Sequence, residues 1–288
     1  MGDTTKKRKN MRKLRSLDPM SMISPFIMVG RIGSQNLLTD SVNIARAEQY
    51  VREKQAEGMK NFTLMHLLIA AYIRTCAKNP ALNRFIRGQR VWTRDDVEIA
   101  LTIKLEMLQS SPETVVKVTL PKDATAKDVY DALNGVIQAY RNQPESDFDT
   151  TAKVLSYIPS VLMKFVMWIL KMMDYFGLIP KSLTKVSPFH CSFFITSMGS
   201  LGIPSIYHHL YEFGTCPVFL SFGAKKRSYV LDSEGNITKQ QLVDLSFALD
   251  EHICDGFYFA SSYKYLKSII KNPWQLDDKP DEIVEDVD

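Results

Sequence analysis

The sequence predicts an α/β sandwich, the class in which a sheet packs against helices. Three observations carry this. Stretches alternating apolar and polar residues, the period of a half-buried strand, are interleaved with stretches whose apolar residues recur every three or four positions, the period of a helix on a core. No repeat or low-complexity linker divides the chain. Its 288 residues, 45% hydrophobic and 24% charged, can bury one substantial core or two modest ones.

Residues 37–44 read as a strand, and Ala45 to Glu57 as a charged surface helix stopped by Gly58. Thr63 then caps a more buried helix with Leu64, Leu67, Leu68, Ala71, Tyr72 and Cys76 on one side, ending before Pro80. His66 lies off that stripe and reads as an exposed or partly packed histidine, not a catalytic one. The stretches 87–92, 97–105 and 114–120 alternate as strands, and Thr125 with Asp128 three residues on opens another helix. From Ser192 the pattern is β again, through 193–195 and 218–222. A hairpin follows, in which Tyr229 to Leu231 and the chain from Ile237 flank the turn-forming residues 232–236. A strand over 242–249 delivers Asp250-Glu251-His252-Ile253-Cys254-Asp255-Gly256, and a helix continues to Asn272-Pro273.

Composition narrows the function classes. Cys76, Cys191, Cys216 and Cys254 form no C-x-x-C pair and have no histidine at ligand spacing, so no disulfide framework and no metal site is expected. A reducing cytoplasm is the simplest compartment. The basic start (Lys6, Lys7, Arg8, Lys9, Arg12, Lys13, Arg15) is followed by no apolar stretch with a small-residue cleavage site, so it is not a secretory signal. A net charge of +4 is too small to argue for nucleic acid. It is unevenly placed, because Asp277, Asp278, Asp281, Glu282, Glu285, Asp286 and Asp288 crowd the C-terminal end. The expected layout is a flexible basic tail over 1–20, one domain over 21–275 and an acidic tail over 276–288, both ends solvated and mobile.

Three motifs in order give the domain a resemblance: Phe-Ile-Thr-Ser-Met-Gly at 194–199, Phe-Gly-Ala-Lys-Lys-Arg at 222–227 and Leu-Ser-Phe-Ala-Leu-Asp-Glu-His-Ile-Cys-Asp-Gly at 245–256. Together they are similar to the catalytic domain of the 2-oxoacid dehydrogenase acyltransferases, the dihydrolipoamide acyltransferases. The Ile-Cys-Asp-Gly-Phe ending is closer to chloramphenicol acetyltransferase. The resemblance runs from about Phe26 to Pro273, interrupted near 145–188. It implies a mixed sheet flanked by helices, a homotrimer with active sites between subunits, and coenzyme A as acyl carrier with a small-molecule acceptor. No lipoyl attachment or subunit-binding segment is recognisable in this sequence, which argues against a conventional oxo-acid dehydrogenase complex.

In that family H-x-x-x-D-G supplies a histidine base. Counting back from Asp255-Gly256, the slot falls on Glu251, and His252 sits one residue too close. In an extended segment neighbouring side chains oppose, so His252 is expected to face away from the channel unless a bulge shifts the register. The exchange matters because a histidine titrates near about 6.5 and a glutamate near about 4.3, against about 8.5 for a thiol. Burial can raise a carboxyl group by several units and make it a working base. The resemblance further implies that Thr196, with Ser197 as second choice, donates to the oxyanion. Asp255 holds the motif loop, with Arg31 as the partner expected from the chloramphenicol-type relatives, and Gly256 permits a sharp strand-to-helix turn. His208 and His209 are a weaker substitute source of imidazole.

The interruption is a hydrophobic helical insertion. Residues 154–179 contain Lys164, Lys171 and Asp174, and too short an apolar run to cross a bilayer. Packing on the trimer is the default, against a cover over an acyl-chain site or a peripheral membrane anchor. Two function classes remain open: a coenzyme A-dependent acyltransferase with Glu251 as base, and a non-catalytic trimeric scaffold or acyl-lipid binder.

Overall fold

The computed structural model describes residues 11–104, 113–142, 153, 156–231 and 234–288. Ten strands are described: β1 Met11–Lys13, β2 Gln35–Asn43, β3 Arg84–Arg87, β4 Arg90–Arg94, β5 Val97–Lys104, β6 Glu113–Leu120, β7 Phe193–Ser197, β8 Val218–Phe222, β9 Lys226–Leu231 and β10 Ile237–Asp250. The helices are α1 Pro19–Ile27, α2 Ala45–Ala56, α3 Leu64–Lys78, α4 Ala126–Asn142, α5 Ser160–Tyr175, α6 Lys181–Val186 and α7 Gly256–Lys271. The principal sheet has the order β2-β10-β8-β7-β5-β6, with β9 also on β10. It is mixed: β7 runs parallel to β5 and to β8, and the other pairs are antiparallel.

The two faces of this sheet differ. Phe193, Ile195, Val218, Leu220, Phe222, Leu245, Phe247 and Leu249 join α3, α4 and α7 in the main core, whereas their neighbours Phe194, Phe219 and Ala248 form a small second cluster with Leu210, Cys191 and Cys216. Register places Thr196, Ser221, Ser246 and Thr39 in one row across β7, β8, β10 and β2 on that second face. Thr39 and Ser205 each bond the Ser246 hydroxyl at 2.8 Å, and Ser221 accepts the Ile206 N–H at 3.2 Å. One face is thus dry and helix-covered. The other carries hydroxyls under a loop.

Three expectations are corrected. The strand read at 87–92 is a hairpin whose turn residues Gly88 and Gln89 both have positive φ, 58° and 51°, an αL–αL turn that a Gly-Gln pair signals poorly. Within the described part of the basic end, β1 pairs with β4, and Asp18 caps α1 by accepting from the Ser21 N–H at 3.0 Å. The acidic end is packed as well. The Arg15 N–H donates to the Asp288 carbonyl at 2.7 Å, Arg12 donates to the Val287 and Asp286 carbonyls at 2.6 Å each, and Val284 N–H donates to the Ala77 carbonyl at 2.8 Å. One pair of the opposite charges meets in space, Arg12 lying 3.4 Å from the Asp288 carboxylate. The insertion is the helix α5, with Pro159 at its N-cap; Val154 lies outside the described residues. Among the described residues no helix is long and apolar enough to cross a membrane.

Candidate active site

β10 brings the motif in and stops at Asp250, whose N–H donates to the Pro217 carbonyl at 2.8 Å. Ile253 N–H then donates to the Asp250 carbonyl at 3.1 Å, closing a turn, and Asp255 caps α7 by accepting from Tyr258 N–H at 2.7 Å. Side-chain alternation ends with the extended backbone. The turn folds His252 back over Asp250.

Asp250 is fully buried and organises the cluster. Its Oδ1 accepts from the Ser34 hydroxyl at 3.0 Å, the His252 N–H at 3.1 Å and His252 Nδ1 at 2.6 Å. Its Oδ2 lies 3.7 Å from Arg31 Nε. Arg31 also donates to the carbonyls of Tyr211 (2.8 Å), Ile86 (3.3 Å) and Gly214. One guanidinium thus ties the 211–214 loop, β3 and the end of β10 together. Gly214 is needed here, because its φ is +93° and a Cβ would collide with the Phe189 carbonyl.

His252 Nε2 points at the Met28 carbonyl, 2.8 Å away, at the end of α1. Both ring nitrogens face acceptors, a geometry that the doubly protonated ring satisfies. Burial alone would lower the imidazole's pKa, but the Asp250 carboxylate prevails and raises it. An imidazolium bonded on both sides has no lone pair with which to take a proton. Glu251 differs: its N–H donates to the Ser34 carbonyl at 2.8 Å, and among the described residues no hydrogen bond or ion pair engages its half-buried carboxylate. Cys254, the thiol of the motif, is pushed up to about 12 by burial and is inert at neutral pH.

A cleft of about 370 Å³ opens beside His252, walled by Met28 and Val29 after α1, Gly88 and Gln89 in the hairpin turn, Lys171 and Tyr175 of α5, and Phe213. Arg31 and His252 line it; Glu251, Thr196 and Ser197 do not. The α5 wall is fixed by Asp174, whose Oδ1 lies 3.1 Å from His190 Nε2 and whose Oδ2 accepts the Gly214 N–H at 3.0 Å. Burial would raise the Asp174 carboxyl, but His190 and Arg87 hold it below the ordinary range.

Thr196 is buried at the end of β7, beside Ser197. Register aligns it with Ser221 and hence Ser246, two strands and four residues from Asp250, a Cα separation of about 16 Å. One chain does not bring the hydroxyl and the motif together. The Arg31–Asp255 pair expected from the resemblance is also replaced: Arg31 meets Asp250, and Asp255 is spent on the α7 cap. Gly256 is the first residue of α7 with no positive φ, and a Cβ there meets nothing within 4 Å, so the turn does not need a glycine in this chain. His208 stacks on Phe219 at 4.3 Å, and His209 lies against Tyr211 at 5.1 Å.

Two supports escaped the sequence reading. Asp250 stands inside the quoted motif, and its position one residue before the slot was the available signal. Arg84 gave none: it donates to the Ile253 carbonyl at 3.3 Å while forming a two-pronged pair with Asp286, at 2.9 and 2.6 Å.

No protein-family model and no curated protein sequence matches the chain. Solved structures do. The probable dihydrolipoamide acetyltransferase of Listeria monocytogenes 4b F2365 is similar with a TM-score of 0.57 at 12% identity, covering 90% of this chain and 94% of that one. Chloramphenicol acetyltransferase is similar at 0.55 and 13%, covering 90% of this chain and 99% of that one. The chain has the acyltransferase-core fold. The truncated catalytic core of the 2-oxoacid dehydrogenase multienzyme complex from Thermoplasma acidophilum shares it at 0.55 and 14%, over 91% of this chain and 99% of that one. The acyltransferase-core fold is what such identities establish, and the expectation of a mixed sheet flanked by helices stands.

Proposed function

We propose that the chain is a coenzyme A-dependent acyltransferase that moves an acyl group from the thioester to a small acceptor, with Glu251 as base and Thr196 as oxyanion donor. The observation carrying this reading is the engagement of His252. Its two nitrogens are held by Asp250 and Met28, which leaves Glu251, four residues before Asp255, as the free proton acceptor of the motif. In this scheme Glu251 takes the proton of an acceptor thiol or hydroxyl as its sulfur or oxygen attacks the thioester carbonyl. A hydroxyl at Thr196, or at Ser197, steadies the oxyanion. Collapse expels the coenzyme A thiolate, which recovers the proton from Glu251. The roughly 16 Å between Thr196 and the motif supports a site completed between copies in a homotrimer.

The test is release of free thiol from acetyl- and longer acyl-coenzyme A over a panel of small acceptors, for the wild type, Glu251→Gln and Thr196→Ala. Turnover that collapses in Glu251→Gln and drops about 100-fold or more in Thr196→Ala supports the proposal. Undiminished turnover in Glu251→Gln overturns it. A second reading, a non-catalytic trimeric scaffold, is favoured by one observation: Glu251 is not among the residues walling the cleft. Binding of coenzyme A without turnover would select it.

A further inference from the structure

The helix α5 is apolar on two sides. Met163, Val166, Leu170 and Met173 are half-buried towards the body of the protein. Val161, Phe165, Trp168, Met172 and Tyr175, spaced by four, three, four and three, form a second stripe on the opposite side, and they are exposed: Val161 by 84%, Phe165 by 55% and Trp168 by 58%. A helix whose outer face met only water would carry polar residues there. Across the cleft, α1 does the same, with Met20, Ile23 and Ile27 outward at helical spacing and Val29 after its end. The aromatic stripe and this second apolar edge flank one opening, since Met28, Val29, Lys171 and Tyr175 all wall the cleft.

Cations crowd the α5 side of this surface, whereas the acids near it are Asp18 at the start of α1 and Glu212 on the cleft wall. Lys164 and Lys171 sit at the margin of the α5 stripe, and Lys181 and Lys185 follow on α6, all four exposed. Arg90 stacks on Phe26 of α1 at 5.0 Å. Between 156 and 187 the sole acid is Asp174, which is bonded inward to His190 and Gly214. Protein interfaces are depleted of lysine at their cores. Aromatic and aliphatic residues bordered by lysines suit a bilayer interface, where the stems lie along the acyl region and the ammonium groups reach anionic headgroups. At 16 residues, α5 is too short to span.

We propose that α1 and α5 form a docking face for an anionic membrane surface, with the cleft beside His252 opening onto the lipid. The face holds whether or not the chain transfers acyl groups, so its test is independent of turnover.

The full-length protein is sedimented with vesicles of phosphatidylcholine alone and of phosphatidylcholine mixed with phosphatidylglycerol, with molar mass in solution measured in parallel. Wild type is expected to sediment with the phosphatidylglycerol vesicles only and to be released by high salt. Lys164→Gln with Lys171→Gln, on exposed positions that leave the fold intact, is expected to weaken partitioning roughly 30-fold. Phe165→Asp with Trp168→Asp is expected to abolish it at unchanged molar mass. Failure to sediment with the anionic vesicles at low salt overturns the proposal. So does a fall in molar mass in the Phe165→Asp, Trp168→Asp variant, which would assign the stripe to a second copy of the chain.

Discussion

His66 should act as an acid trigger for unfolding, and the size of the effect follows from its surroundings. Its Nδ1 accepts the Thr63 N–H at 3.1 Å, closing the first turn of α3, and its ring stacks on Phe62 at 5.2 Å. The side chain expected to be exposed or partly packed is buried, and among the described residues Nε2 has no hydrogen-bond partner. Protonation would put a proton where the cap bond must be accepted. Burial pushes the pKa from 6.5 down to about 4. Because the folded value lies below the unfolded one, the unfolded chain binds the proton first. Stability is complete above about pH 6.5 and falls as the pH drops towards 4. The whole interval corresponds to about 3.4 kcal/mol, of which about 2 kcal/mol is lost by pH 5. His66→Gln keeps an acceptor at the third helical position, as the capping box requires, and removes the titration. Urea unfolding of wild type and His66→Gln at neutral pH and at pH 5 should show the wild type losing about 2 kcal/mol more on acidification. Equal losses in both proteins would refute the reasoning.

Other perturbations probe the site's supports. Asp250→Ala strands the Arg31 guanidinium and the His252 imidazolium and should cost about 3–5 kcal/mol in denaturant unfolding; a loss below 1 kcal/mol would mean that the ion cluster carries little. The His252 imidazole, followed by NMR, should titrate above its ordinary value, because Asp250 raises it. Its stabilising charge is complete below the unfolded pKa of about 6.5 and is lost as the pH rises through the folded value; a midpoint at or below the ordinary value would contradict the assignment. Asp286→Ala should destabilise by about 2 kcal/mol, because Arg84 is left part-buried without its carboxylate, and thermal melts measure it. Gly214→Ala should lower the melting temperature sharply, since neither the positive φ nor the Phe189 carbonyl leaves room for a methyl group.

The sheet was legible because its strands alternate and one face is dry; Phe193 and Ile195 look into the core while Phe194 looks away. α3 was legible from Thr63 and Pro80, and α4 from Thr125 with Asp128, whose carboxylate accepts the Thr125 N–H at 2.8 Å. The site was legible as a segment but not as a geometry. Alternation predicts side-chain directions only while the backbone stays extended, and the chain turns immediately after Asp250. The family likeness pairs Arg31 with Asp255, whereas the buried Asp250 lies within reach and the α7 cap already occupies Asp255. The order at the two ends was invisible because each is charged and apolar-poor. Their pairing is a long-range contact between residues 12–16 and 286–288 that local pattern does not encode.

That seam has a consequence for how the molecule wears. Nicking or peeling either edge releases its mate, and the disturbance need not stay at the periphery. Asp286 is the anchor of Arg84, which in turn steadies the carbonyl of Ile253 two residues beyond Glu251. A trimmed or tugged end would therefore be felt first as slackness in the motif, before any loss of the sheet.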